Sequence, residues 1–182
     1  MDSYRIYHRA NALVKQCGTR DPQKIAAELG IWIYDVDGFH SLLGMYTFRW
    51  NHRLIFLNSR LDRCTRQMVL AHEIGHDQEH RELARSEKNG LREFVLFNMK
   101  DTTEYEANAF ASHILLDERE VYALARQGYD VVQIAQMMDS DINLMLIKMQ
   151  EMNKLNYDLR IPYDPDSRFF RKIHGSGACW NG

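Results

Sequence analysis

His72, Glu73 and His76 stand in the stretch "QMVLAHEIGHDQEHRE", residues 67–82, with His80 four residues further on. On a helix, His72 and His76 share one face about one turn apart, roughly 6 Å along the axis. Two imidazoles so placed can each give one nitrogen to a single Zn²⁺ at about 2.0–2.1 Å. Glu73 lies about 100° round the helix from His72. There it sits beside the ion and can orient and deprotonate a water, which is the mechanical content of an H-E-x-x-H pattern. The competing reading is a polar surface helix that happens to be rich in histidine. The setting favours the metal. Met68, Val69, Leu70, Ala71 and Ile74 make the first half of this helix apolar nearly all round, so it should run through a core. Polar side chains buried there need partners, because unpaired burial costs on the order of several kcal/mol. Gly75 inside the helix costs about 1 kcal/mol against alanine, a cost that makes sense if something approaches the backbone closely.

A lone H-E-x-x-H needs a third ligand downstream. "TEYEANAFASHILL" offers Glu104, with Asn108 four residues on, on a helix whose other face (Ala107, Phe110, Ala111, Ile114 and Leu115) is apolar. Glu104 can reach the metal while Asn108 accepts a hydrogen bond from the second nitrogen of a ligand histidine, fixing its tautomer and orientation. Two histidines and a glutamate leave a fourth position open for water, as catalytic sites do and closed structural sites do not. The rival for Glu104 is an ordinary solvated carboxylate. Glu106 competes for the same role, but it lies about 200° away on the helical wheel, on the side expected to face solvent.

Those residues must be held by surrounding elements. Apolar positions at Ile6, Ala10, Leu13 and Val14 predict an amphipathic helix from about residue 3. "TRDPQKIAAELG" predicts a second, with Asp21 as N-cap, Pro22 at the first position and Gly30 as the stop. "IWIYDV", "LGMYTFRW" and "RLIFLN" are short and rich in β-branched and aromatic residues, and they predict a small antiparallel meander with a tight turn in "RWNHRL". "LGMYTFRW" is the expected edge beside the metal helix, where a substrate segment could add as an extra strand. Helices are then expected over residues 63–80 and 102–116, in "DEREVYALARQG", and as a pair in "DVVQIAQMM" and "INLMLIKMQEMNKLN". Residues 82–101 read as a long connection with a turn at "NG" and an apolar "FVLF" patch, and 161–182 as an irregular tail. The expected class is α+β: one mostly helical domain over residues 1–160 with a small three-stranded antiparallel sheet.

Composition narrows the function classes. The chain has 182 residues, 45% of them hydrophobic, enough for one sizeable core and short for two. A net charge of −2 gives no footprint for nucleic acid. The charged start excludes a signal peptide, and no apolar run is long enough for a membrane span. Cys17, Cys64 and Cys179 are odd in number and widely spaced, fitting neither a disulfide framework nor a Cys-x-x-Cys zinc site. A reducing cytoplasm is the expected location.

"LAHEIGH", followed about thirty residues later by "EYEANAFASHILLD", closely resembles the ImmA/IrrE family of zinc metallopeptidases, with H-E-[LI]-G-H and then E-x-x-A-N-x-F-A. "KIAAELGIWIY" and "RLIFLNSRL" are similar to that family's lead-in of helix, small sheet and asparagine, so the resemblance runs from about residue 21 to 120. It implies a zincin-like fold with His72, His76 and Glu104 on zinc (manganese being the alternative ion) and Glu73 as the base. It also implies a protein substrate, a helix-turn-helix repressor from a prophage or mobile element, with no direct contact to nucleic acid. Hydrolysis further calls for an oxyanion donor, with His80, Tyr105 and His113 as candidates and His80 more simply read as a solvated helix-end residue. A different class of function is a metal-stabilised binding module that sequesters a repressor without cutting it. Residues 129–152 support that weakly, because their two helices could mimic a helix-turn-helix. The plainer reading is a hairpin capping the core through Ile134, Met137, Met138, Leu144 and Ile147, with Lys148 and Lys154 alone near enough to meet phosphates. A third reading is a peptidase of broad specificity.

Overall fold

Aspartates open the helices. Asp2, Asp21, Asp62, Asp117, Asp130 and Asp141 are N-caps whose side chains accept from backbone N–H groups in the first turn. Those donors have no partner within the helix, so each cap both starts and stabilises it. The computed structural model describes residues 2–86, 102–162 and 165. In chain order the elements are α1 (Ser3–Cys17), α2 (Pro22–Glu28), β1 (Trp32–Val36), β2 (Gly44–Arg49) and β3 (His52–Asn58). They are followed by α3 (Arg63–Glu79), α4 (Arg81–Ser86), α5 (Thr102–Leu115), α6 (Glu118–Arg126), α7 (Val131–Met137) and α8 (Ile142–Lys154). The class is α+β, as expected.

The sheet is mixed, not an antiparallel meander. Its order is β1-β3-β2, with β3 antiparallel to β2 but parallel to β1. The β2–β3 hairpin turns at Trp50 and Asn51, both at positive φ (49° and 63°), the geometry that suits the right-handed twist of paired strands. β1 instead reaches β2 through residues 37–43, which pass the end of β3. The buried Asn58 amide donates to the carbonyls of Phe39 (3.0 Å) and Leu42 (3.1 Å), pinning that crossing. Strand texture predicts that strands exist; it does not say which pair or in which direction.

α3 runs through the core as its apolar first half requires, against β2, β3 and α2 on one side and α5 on the other. Asp77, buried at its C-terminal end, accepts from the Tyr46 hydroxyl (2.8 Å), Arg53 Nη1 (3.3 Å) and Arg81 Nη2 (2.8 Å), tying helix to sheet. α1 lies along α5 with Ile6, Ala10 and Leu13 buried, and its Arg5 and Arg9 pair with Glu79.

Gly75 explains itself here. A Cβ on it would sit 2.9 Å from the Ala107 carbonyl oxygen and 3.0 Å from Ala107 Cα. Both are backbone atoms, which cannot swing aside. Gly75→Ala should therefore destabilise by about 1–3 kcal/mol of overpacking, offset in part by about 1 kcal/mol of helix propensity. It should also push α5, and Glu104 with it, away from α3. Urea unfolding and a metal titration of the variant check both effects; an unchanged midpoint with unchanged metal affinity would contradict the close approach.

Several expectations are corrected. The connection expected from residue 82 is helical at its start, within α4, whose Ala84 is buried. The "FVLF" patch lies outside the described residues, as does the tail apart from Ile161, Pro162 and Pro165. In the α7–α8 hairpin Ile134, Leu144 and Ile147 are buried, but Met137 is 56% exposed because it closes a seven-residue helix on its outer face. Lys148 is wholly buried against His113 and Glu118, and Lys154 pairs with Glu151, so neither is placed as a phosphate contact. Cys17 has a free thiol, half-buried at the end of α1. No helix among the described residues is long and apolar enough to cross a membrane.

Candidate metal centre

α3 and α5 bring three potential ligands to one point. His72 Nε2 and His76 Nε2 lie 3.0 Å apart. Glu104 Oε2 is 3.4 Å from the first and Glu104 Oε1 is 3.3 Å from the second. All three side chains are buried, and their candidate ligand atoms lie within 4.8 Å of one another. Hydrogen-bond partners force part of the protonation pattern. Asn108 Oδ1, an acceptor, is 3.0 Å from His72 Nδ1. That ring therefore carries its proton on Nδ1 and turns an Nε2 lone pair toward the cluster.

Three electron-rich groups facing one another in a buried site repel unless a cation lies between them. Both Glu104 oxygens are buried without a hydrogen-bond partner, an arrangement costly in itself and resolved by metal ligation. The donor set of two imidazoles and one carboxylate fits a metal ion.

Protonation equilibria are shifted throughout the cluster. Burial pushes the Glu73 carboxyl up to about 7; neighbouring Glu104 pushes the same way, while His72 and the Tyr46 N–H oppose it. Burial lowers His76 to about 4, with the facing Glu104 carboxylate opposing and His72 assisting. Burial alone would raise Glu104, but the imidazoles of His72 and His76 together pull it well below the ordinary carboxylate range. Glu73 is thus a buried carboxylate with raised proton affinity beside the ligand cluster, and its Oε1 has no hydrogen-bond partner. β2 crowds it: a Cβ on Gly44 would lie 3.0 Å from Glu73 Oε1 and 2.5 Å from Val69 Cγ1. Only a glycine lets that strand lie so near the carboxylate.

The remaining residues singled out in the sequence are not all gathered here. His80 is buried rather than solvated. Its Nδ1 is 3.2 Å from His76 Nδ1 and its Nε2 is 3.0 Å from Glu106 Oε2. It backs a ligand ring rather than facing the open side of the cluster. Glu106, expected toward solvent, is mostly covered because it turns to His80. The Tyr105 hydroxyl donates to Glu151 (2.7 Å) and accepts from Lys154 (2.9 Å), so it points at α8. His113 is buried with Nδ1 3.0 Å from Lys148 Nζ and its ring edge-on to Tyr7, on the α1 and α8 side of α5. Sequence reasoning missed Glu106 as a partner of His80, and Tyr46 with Asp77 as the tie between sheet and helix. Glu106 carried one usable signal, a carboxylate two residues from Glu104 in a helix already assigned to the core.

Comparison with known proteins gives a family. Residues 26–160 match the model of a peptidase family described as the IrrE N-terminal-like domain. The chain belongs to the IrrE N-terminal-like family. The match spans well over half of the chain and contains the whole ligand cluster. The chain is also 30% identical over 125 residues to "Uncharacterized immunity region protein 2" of Bacillus phage phi105, covering 69% of this chain and 77% of that one. As a member of the IrrE N-terminal-like family, the chain carries the type of site that a metallopeptidase requires.

Proposed function

We propose that the chain is a zinc-dependent endopeptidase that cuts a helix-turn-helix repressor of phage or mobile-element type at one site and so releases the genes it silences. The observation that carries this reading is Glu73, a buried carboxylate with raised proton affinity set beside the His72, His76 and Glu104 cluster. A buried carboxylate with an unpartnered oxygen next to a ligand set is what proton transfer in peptide hydrolysis needs. The family supplies the reaction class, and the relative named for a phage immunity region supports the kind of partner. On this reading the place of action is the cytoplasm, where a repressor meets DNA.

The donor set suits zinc, with manganese as the alternative. Bound there, the ion supplies Lewis-acid polarisation of the scissile carbonyl and a water acidic enough to lose its proton near neutrality. Glu73 takes that proton on Oε1, the oxygen without a partner, and hands it to the leaving amine. Asn108 holds His72 in the tautomer that leaves Nε2 free. β2 is an edge strand whose Gly44 end lies against Glu73, so a substrate segment that adds to it passes the base.

The test is co-expression with the helix-turn-helix repressor encoded nearby, read by intact mass, with Glu104→Ala in parallel. Two fragments summing to the repressor plus one water, absent with the variant, are expected. Casein should stay uncut. An intact repressor bound to metal-loaded protein would sink the cleavage reading and leave sequestration.

A further inference from the structure

Behind the ligand His76 runs a second line of hydrogen bonds that the proposed chemistry does not use. His76 Nδ1 lies 3.2 Å from His80 Nδ1, and His80 Nε2 lies 3.0 Å from Glu106 Oε2. Both imidazoles are buried, and Glu106 is mostly covered. The line crosses from α3 to α5, the same two helices that carry the ligands.

The donors and acceptors in this line have one consistent arrangement with both rings neutral. An ionised carboxylate only accepts, so Glu106 requires the His80 proton on Nε2. His80 Nδ1 is then an acceptor, and two lone pairs cannot face each other at hydrogen-bond distance. His76 must therefore carry its proton on Nδ1 and present its Nε2 lone pair to the cluster with Glu104 and His72. A carboxylate on the far helix thus sets the tautomer of a ligand two bonds away.

We propose that His80 and Glu106 are positioning residues for the metal. They lock His76 in the ligating tautomer and ring orientation, as Asn108 does for His72. This rests on the metal reading above. It also gives the third histidine of "HEIGHDQEH" a role that neither the ligand set nor the base assigns. Outer partners of ligating histidines raise ligand basicity and fix ring orientation, and losing one typically costs about 10–100-fold in metal affinity.

The experiment measures the affinity of the full chain for Zn²⁺ by competition with a chelating dye, and records the Co²⁺ absorption spectrum. The proteins are wild type, His80→Phe, His80→Gln, Glu106→Ala and Glu106→Gln. Phenylalanine fills the space of the ring without hydrogen bonds. Glutamine can accept from His76 through its oxygen and donate to Glu106 through its nitrogen. His80→Phe should weaken zinc binding about 10–100-fold and alter the Co²⁺ spectrum, while His80→Gln should restore most of the loss. If His80→Phe fails to fold, the Glu106 pair decides: alanine should weaken binding and glutamine, which still accepts from His80, should restore it. Wild-type affinity in both the phenylalanine and Glu106→Ala variants would overturn the proposal. Equal losses with glutamine and with the non-bonding side chain would do so too, since packing alone would then account for them. A wild-type protein that binds no zinc would instead remove the metal reading itself.

Discussion

Glu73→Gln is expected to keep its metal at wild-type affinity and to lose repressor cleavage by about 10²–10⁴-fold, the range of a lost general base. The amide has nearly the shape of the carboxylate and cannot take a proton from water, while His72, His76 and Glu104 stay in place. The same change should stabilise the metal-free protein near neutrality. In the fold the Glu73 carboxyl titrates at about 7, against an ordinary value of 4.5. Between those values the folded state holds a proton that the unfolded chain has lost, so stability falls as pH rises through that window. The decline amounts to about 3 kcal/mol above pH 7. His76, lowered to about 4 by burial, pulls the other way between there and its ordinary 6.5. The difference between variant and wild type, rather than either curve alone, therefore reads Glu73. Urea unfolding in chelator at pH 5 and pH 8 measures it. Retained cleavage, or no pH-dependent difference, would remove Glu73 from its role.

Zinc should raise the unfolding temperature of the wild type, and Glu104→Ala should erase the rise. A metal at a hundred times its dissociation constant adds about 2.7 kcal/mol, worth roughly 5–10 °C in a chain of this size. Without Glu104, two histidines remain, and the affinity loss should exceed the roughly 100-fold seen for outer-shell changes. Because His72 and His76 hold the Glu104 carboxyl low, that carboxylate also steadies the metal-free fold near neutrality, so the zinc response of each protein is measured against its own metal-free stability. That pairing separates a ligand from a structural carboxylate. Thermal scans with zinc and with chelator test it, and an equal zinc response in both proteins would exclude Glu104 from the site.

The local signals in the chain were easy to read. Asp21 with Pro22 marked one helix and apolar periods the others, and spacing of four put His72 with His76 and Glu104 with Asn108 on shared faces. The grouping of Glu104 with the histidines followed from there, since a carboxylate on a core helix needs a partner. What depends on contacts between distant segments was not legible. Parallel pairing of β1 with β3 depends on Asn58 holding a crossing loop, and nothing in strand composition announces it. The burial of His80 and Glu106 depends on the register of α3 against α5, set where Gly75 meets Ala107. A histidine at a helix end among charged neighbours looks solvated until that register is known.

The family match begins at residue 26, yet α1, which ends at Cys17, packs one face against α5 and α2. Its buried face covers α5, and its two arginines neutralise Glu79, whose side chain has no exposed surface. The matched segment is therefore smaller than the unit packed around the ligand helices. A fragment cut at the family boundary would uncover the back of the helix that carries Glu104 and strand a negative charge at the end of the helix that carries both histidines. Any recombinant version meant to hold metal has to start at or before Asp2.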